Sequence, residues 1–114
     1  MFKSSLTVAS AAAVLAFAFM GSAQAAPDEE AAKALMKAND CTKCHAVDKT
    51  KKGPALQKIA AKYKGKADAQ ATIITDITTG PTVKLADGTE EKHKIIDTKD
   101  QKELKNLADW ILAQ

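Results

Sequence analysis

Cys41-Thr42-Lys43-Cys44-His45 constrains this chain more than any other stretch. Two cysteines two residues apart, followed at once by histidine, form the attachment pattern of a c-type haem. The chemistry sets the spacing. Two thiols on one turn of chain reach the two vinyl groups on one porphyrin edge and form thioethers. The next imidazole then lies under the ring, where a nitrogen can bind the iron. The chain has no other cysteine and one other histidine, His93. Three competing readings are weaker. An exported cysteine pair can form a disulfide. A thioredoxin-like redox site needs a βαβ context, which the pattern lacks. Zinc held by Cys41, Cys44, His45 and His93 would need two adjacent residues in one tetrahedral site, without the usual ligand spacing.

Residues 1–25 read as a signal peptide. Lys3 is the positive start, Leu6 to Met20 is the apolar run, and Ala23-Gln24-Ala25 is a small-x-small cleavage site. The alternative, a membrane anchor, needs about 20 apolar residues, more than this run supplies. Cleavage after Ala25 leaves a single domain, 26–114, expected to be exported to the periplasm, to be soluble and monomeric, and to have no membrane span. So small a domain is marginal alone. A covalently held haem would give it an apolar body to wrap, and the haem-free chain is expected to fold poorly.

Every basic residue is lysine. Removing Lys3 and no acid leaves 16 lysines against 14 acidic residues, a formal charge of +2. That near balance, with few aromatics, argues against nucleic-acid binding. Lysines concentrate between Lys43 and Lys66. They form either a solvated surface or a docking face for an acidic redox partner, steered by charge and weakened by salt.

The pattern predicts an all-α domain of about four helices. The first spans Asp28 to about Asn39, with Pro27 and the acidic residues Asp28, Glu29 and Glu30 at its positive end, and an apolar stripe of Ala31, Leu35 and Ala38 with Ala34 beside it. Gly53-Pro54 breaks the chain, and a second helix runs from Pro54 or Ala55 to about Lys64 with Leu56, Ile59, Ala60 and Tyr63 on one face, and Gly65 stops it. A third spans Ala67 to about Thr78, edged by Ile73, Ile74 and Ile77 and closed by Gly80-Pro81. Thr82 to Asp97 is either an irregular hairpin turning at Asp87-Gly88, with His93 in its second arm, or a plain loop. The last helix opens with a capping box of Thr98 and Gln101 and carries Leu104, Leu107, Ala108 and Ile111 at helical spacing, widened by Trp110 and Leu112.

At this point the chain resembles the small bacterial class I c-type cytochromes. The resemblance covers nearly all of the domain. It rests on the Cys41–His45 motif, on Gly53-Pro54-Ala55-Leu56, on Ala60-Ala61-Lys62-Tyr63-Lys64-Gly65, and on Leu107-Ala108-Asp109-Trp110-Ile111-Leu112. It implies the class I cytochrome c fold around one haem c, with the first and last helices crossing near one haem edge. Cys41 and Cys44 would attach the haem, His45 would bind iron, and the Pro54 carbonyl would accept the His45 N–H, which fixes ring orientation and ligand basicity. The alternative for Pro54 is a simple loop terminator. Leu56, Ile59, Ile73, Ile77, Leu107 and Trp110 would pack the core and haem pocket.

The family's other axial ligand is a methionine from the loop before the last helix, and here the chain departs from it. Its methionines are Met1, Met20 and Met36. The first two leave with the signal, and Met36 lies one turn before the haem motif on the helix leading into it. His93 stands 17 residues before Trp110, about where the family places its methionine. Imidazole is a good haem ligand, and a bis-histidine iron is expected. A surface histidine, Lys92 or Lys94 as ligand, and an open site are the alternatives. A second imidazole donates more than a thioether and stabilises ferric iron, so the potential should be lowered; axial ligands move haem potentials across about 0.8 V. The expected role is a periplasmic one-electron carrier with redox-protein partners and no catalytic residues. The alternative is a gas-binding or sensing haem protein whose His93 detaches.

Overall fold

The computed structural model describes residues 26–114. The expected signal peptide and its Ala25 cleavage point lie outside the described residues. The element order is α1 (Glu29–Ala38), a 3-10 turn (Cys41–Lys43), α2 (Leu56–Tyr63), α3 (Ala69–Thr79), β1 (Thr82–Lys84), β2 (Glu90–Lys92) and α4 (Gln101–Leu112).

The Asp28 carboxylate caps α1, accepting the Ala31 N–H at 3.0 Å. Its buried face is Ala32 and Met36, with Leu35 half-buried; Ala31, Ala34 and Ala38 are exposed. The expected stripe is therefore rotated about the axis. Alanines all round the helix give little contrast between faces, so the crossing with α4 decides. That crossing is pinned where the helices meet. The Asp28 N–H donates to Asn106 Oδ1 at 2.7 Å, and Asn106 Nδ2 donates back to the Asp28 carbonyl at 2.9 Å.

α4 buries Leu104, Leu107, Ala108, Trp110 and Ile111, as their spacing predicts. Its start differs from the expected capping box. Asp100 is the cap, accepting the Lys102 N–H at 2.9 Å. Thr98 instead accepts the Asp100 N–H at 3.1 Å and donates to Glu103 at 2.6 Å. A carboxylate two residues nearer the helix outcompetes the hydroxyl for the free N–H groups.

α2 packs on α4, with Leu56 fully buried and Ile59 and Tyr63 half-buried. α3 starts at Ala69, two residues after the expected Ala67, and ends at Gly80, whose φ of 64° gives the left-handed cap. Gln70 donates to Asp109 at 2.7 Å, joining α3 to α4. The core is one cluster in which Met36, Leu56, Ile73, Ile77 and Ile96 meet the inner face of α4.

Between Thr82 and Asp97 the hairpin forms. β1 and β2 are antiparallel, with Val83 opposite Glu91. Asp87 organises the turn by accepting the Thr89 N–H at 2.9 Å and hydroxyl at 2.6 Å, and Gly88 takes a φ of 88°. His93 lies one residue past β2 rather than within it. Among the described residues no helix is long and apolar enough to cross a membrane.

Leu107 is 1% exposed at the centre of this packing. Leu107→Ala is expected to cost about 2–5 kcal/mol of unfolding free energy, measured by denaturant titration of the haem-bearing protein.

Candidate haem site

His45 is delivered by the 3-10 turn. Asp40, with a φ of 56°, turns the chain out of α1, and the His45 N–H closes on the Cys41 carbonyl at 3.0 Å. The following loop folds back. The Gly53 N–H donates to the Cys44 carbonyl at 2.9 Å, and Leu56 and Gln57 donate to Ala46 and Val47. This brings the Pro54 carbonyl to 2.7 Å from His45 Nδ1, the placement expected of Pro54. Leu56, two residues further on, is 2% exposed.

Gly53 is a requirement of the site beyond its place in the Gly53-Pro54-Ala55-Leu56 signature. A Cβ there would lie 2.7 Å from His45 Cε1 and 3.1 Å from Nδ1. The ring packs flush against bare backbone. A glycine directly before the proline was the available signal.

His93 comes from the opposite side. Its N–H donates to the Pro81 carbonyl at 2.8 Å, and its Nδ1 lies 2.8 Å from the Lys94 carbonyl. Gly80 permits the approach: a Cβ would lie 2.8 Å from the His93 carbonyl oxygen, and its φ disfavours any other residue. Beyond His93 the arm is fastened at three points. The Ile96 N–H reaches the Ile77 carbonyl at 2.9 Å while its side chain is buried. The Asp97 N–H reaches Asn39 Oδ1 at 3.0 Å, and Lys94 Nζ lies 3.0 Å from Asp40.

The two imidazole centroids are 6.1 Å apart, with ring planes inclined by 36°. A carbonyl can only accept, so each Nδ1 carries the proton and each Nε2 is left as a free lone pair. With metal–nitrogen bonds of about 2.0–2.1 Å and each ring centroid about 1.1 Å behind its nitrogen, one metal shared by two imidazoles sets the centroids about 6.2–6.4 Å apart. The observed 6.1 Å is within a few tenths of an ångström of that separation.

Burial pushes the His45 imidazole below its ordinary 6.5; the Pro54 hydrogen bond opposes this and the nearby His93 reinforces it. The shift favours the neutral form, the one that binds metals. Burial raises the Cys41 thiol above its ordinary 9.0. Cys41 and Cys44 are half-buried and not joined to each other. Among the described residues no group of three or more His, Cys, Asp or Glu side chains is placed to hold a bare metal ion. Met36, the only methionine among the described residues, is 4% exposed in the core.

The sequence of the cytochrome c family matches residues 29–114. Cytochrome c-551 of Pseudomonas denitrificans is 36% identical over 79 residues, covering 69% of this chain and 92% of that protein. Cytochrome c-552 of Nitrosomonas europaea is 36% identical, covering 69% and 74%. Among solved structures, the class 1 cytochrome MtoD of Sideroxydans lithotrophicus ES-1 is similar at a TM-score of 0.74 with 52% identity, covering 77% of this chain and 97% of that one. Wild-type Nitrosomonas europaea cytochrome c552 is similar at a TM-score of 0.57 with 36% identity, covering 70% of this chain and 95% of that one. The chain belongs to the cytochrome c family and has the class I cytochrome fold, four helices with a small two-stranded sheet. The family carries one covalently attached haem c, and Cys41 and Cys44 stand in its Cys-x-x-Cys-His position. Its members of this kind are electron carriers rather than enzymes.

Gly53→Ala is expected to push the His45 ring off the Pro54 carbonyl, shifting the visible spectrum of the haem-bearing protein and costing about 1–3 kcal/mol of stability. Gly65→Ala, where a Cβ meets nothing within 4 Å, should leave the spectrum unchanged.

Proposed function

We propose that this protein is a periplasmic one-electron carrier, with haem c attached through Cys41 and Cys44 and its iron held between His45 and His93. The observation that carries this reading is the 6.1 Å separation of two imidazoles with both Nε2 atoms free. Bound haem supplies a one-electron ferric/ferrous couple. The chain's residues do the rest. The Pro54 and Lys94 carbonyls fix the two rings and raise their basicity, and Leu56 provides an apolar wall. Donation from two imidazoles favours ferric iron, so the potential lies below that of methionine-ligated relatives.

Carrier function is favoured over gas binding by the way His93 is held, with Ile96 buried behind it and hydrogen bonds on either side. Lys94, the alternative ligand, has its ammonium directed to Asp40. The surface lysines around the motif, Lys43, Lys49, Lys51 and Lys52 among them, are exposed. They suit brief, salt-sensitive docking of a monomer to an acidic redox protein through a small interface.

Low-temperature spin resonance of the ferric protein is expected to give one low-spin species, converted to a high-spin or mixed species by His93→Ala. A redox titration should place wild type well below the methionine-ligated relatives. An unchanged spectrum in His93→Ala sinks the distal assignment. A colourless exported protein with its thiols bonded together sinks the haem reading.

A further inference from the structure

We propose that Asn39 and Asp40 form a clasp holding the distal arm, residues 93–97, against the attachment motif, and that this clasp governs how firmly His93 stays on the iron. The proposal rests on reading His93 as a ligand. Asn39 and Asp40 are the two residues immediately before Cys41, at the end of α1.

Asn39 is the only buried polar side chain among the described residues, at 8% exposure. Both ends of its amide are used. Nδ2 donates to the Leu35 carbonyl at 2.9 Å, and Oδ1 accepts the Asp97 N–H at 3.0 Å, across 58 residues of chain. The first bond fixes the side chain on α1, so the second fastens the arm to that helix. A helix terminator does not need the second bond.

Asp40 is the only non-glycine residue with positive φ among the described residues, at 56°. Glycine would take that conformation without steric cost. The carboxylate that comes with the less favourable choice reaches Lys94 Nζ at 3.0 Å and Lys43 Nζ at 3.6 Å. Lys94 also presents its backbone carbonyl to His93 Nδ1. One residue therefore orients the imidazole with its carbonyl and is held to the cysteine motif by its ammonium.

The two halves of the clasp differ in weight. The Asp40–Lys94 pair is about half-exposed on both sides, and such pairs contribute little. Truncating Asn39 removes the hydrogen bond to Asp97 and empties a buried position, which costs more. Without the clasp, Ile96 alone secures the arm below His93.

Carbon monoxide can bind the ferrous iron only after His93 leaves, so its binding rate to the reduced haem-bearing protein reads the release of that ligand. Asn39→Ala is expected to bind carbon monoxide about tenfold faster than wild type. Asp40→Gly, which relieves the backbone while removing the carboxylate, should be about two- to threefold faster. Lys94→Gln should match it, and the double variant should be no faster than either single one. Added salt should speed wild type and not Asp40→Gly. Wild-type rates in both Asn39→Ala and Asp40→Gly overturn the clasp, even if Asn39→Ala lowers unfolding stability. In that case fast binding by His93→Ala shows that the ligand assignment survives. If His93→Ala matches wild type in ferric spectrum and binding rate, the ligand assignment itself fails and the clasp with it.

Discussion

Two imidazoles, each with its Nδ1 proton committed to a backbone carbonyl, set the terms for the rest of the site. The carbonyl fixes which nitrogen is free, and the chain around each carbonyl fixes where that nitrogen points. For His45 the carbonyl belongs to Pro54, at 2.7 Å; for His93 it belongs to Lys94, at 2.8 Å. The hydrogen-bond acceptor of each ring is a backbone carbonyl, not a side chain. Backbone acceptors are positioned by the fold and cannot change rotamer, which makes them suitable supports for a metal ligand.

The helices supply the rigidity behind those carbonyls. α1 and α4 are locked by the reciprocal Asp28–Asn106 bridge, and α2 and α3 both pack on α4. The proximal loop hangs between α1 and α2, so its Pro54 carbonyl is referenced to both. The distal arm hangs between the hairpin and α4 and touches α3 through Ile96 and α1 through Asn39. Close backbone approach recurs on both sides: Gly53 leaves room for the His45 ring and Gly80 for the His93 backbone.

Much of this was readable in advance, for local reasons. The Cys41–His45 spacing carries its chemistry within five residues. The inner face of α4 follows from strong contrast between leucine, tryptophan and isoleucine and the lysines and acids between them. The phase of α1 is not legible in the sequence, because alanine packs on either face and only the partner helix selects one. The cap of α4 was misplaced because Thr98 and Asp100 both precede the helix with suitable chemistry, and the bond between Thr98 and Glu103 that separates their roles is tertiary detail. Gly53 and Asn39 were invisible as site residues because their partners, the His45 ring and the Asp97 N–H, are found only once the chain is folded.

The sequence by itself determined the attachment motif, the absence of a methionine between that motif and the last helix, and His93 as the remaining imidazole, because these are matters of residue identity and spacing. Only the tertiary structure decided that the His45 and His93 rings come to 6.1 Å of each other, and that the arm carrying His93 is tied back to α1. That outcome depends on helices 1, 3 and 4 meeting at fixed angles, and distances between residues 48 positions apart are set by packing, not by local pattern.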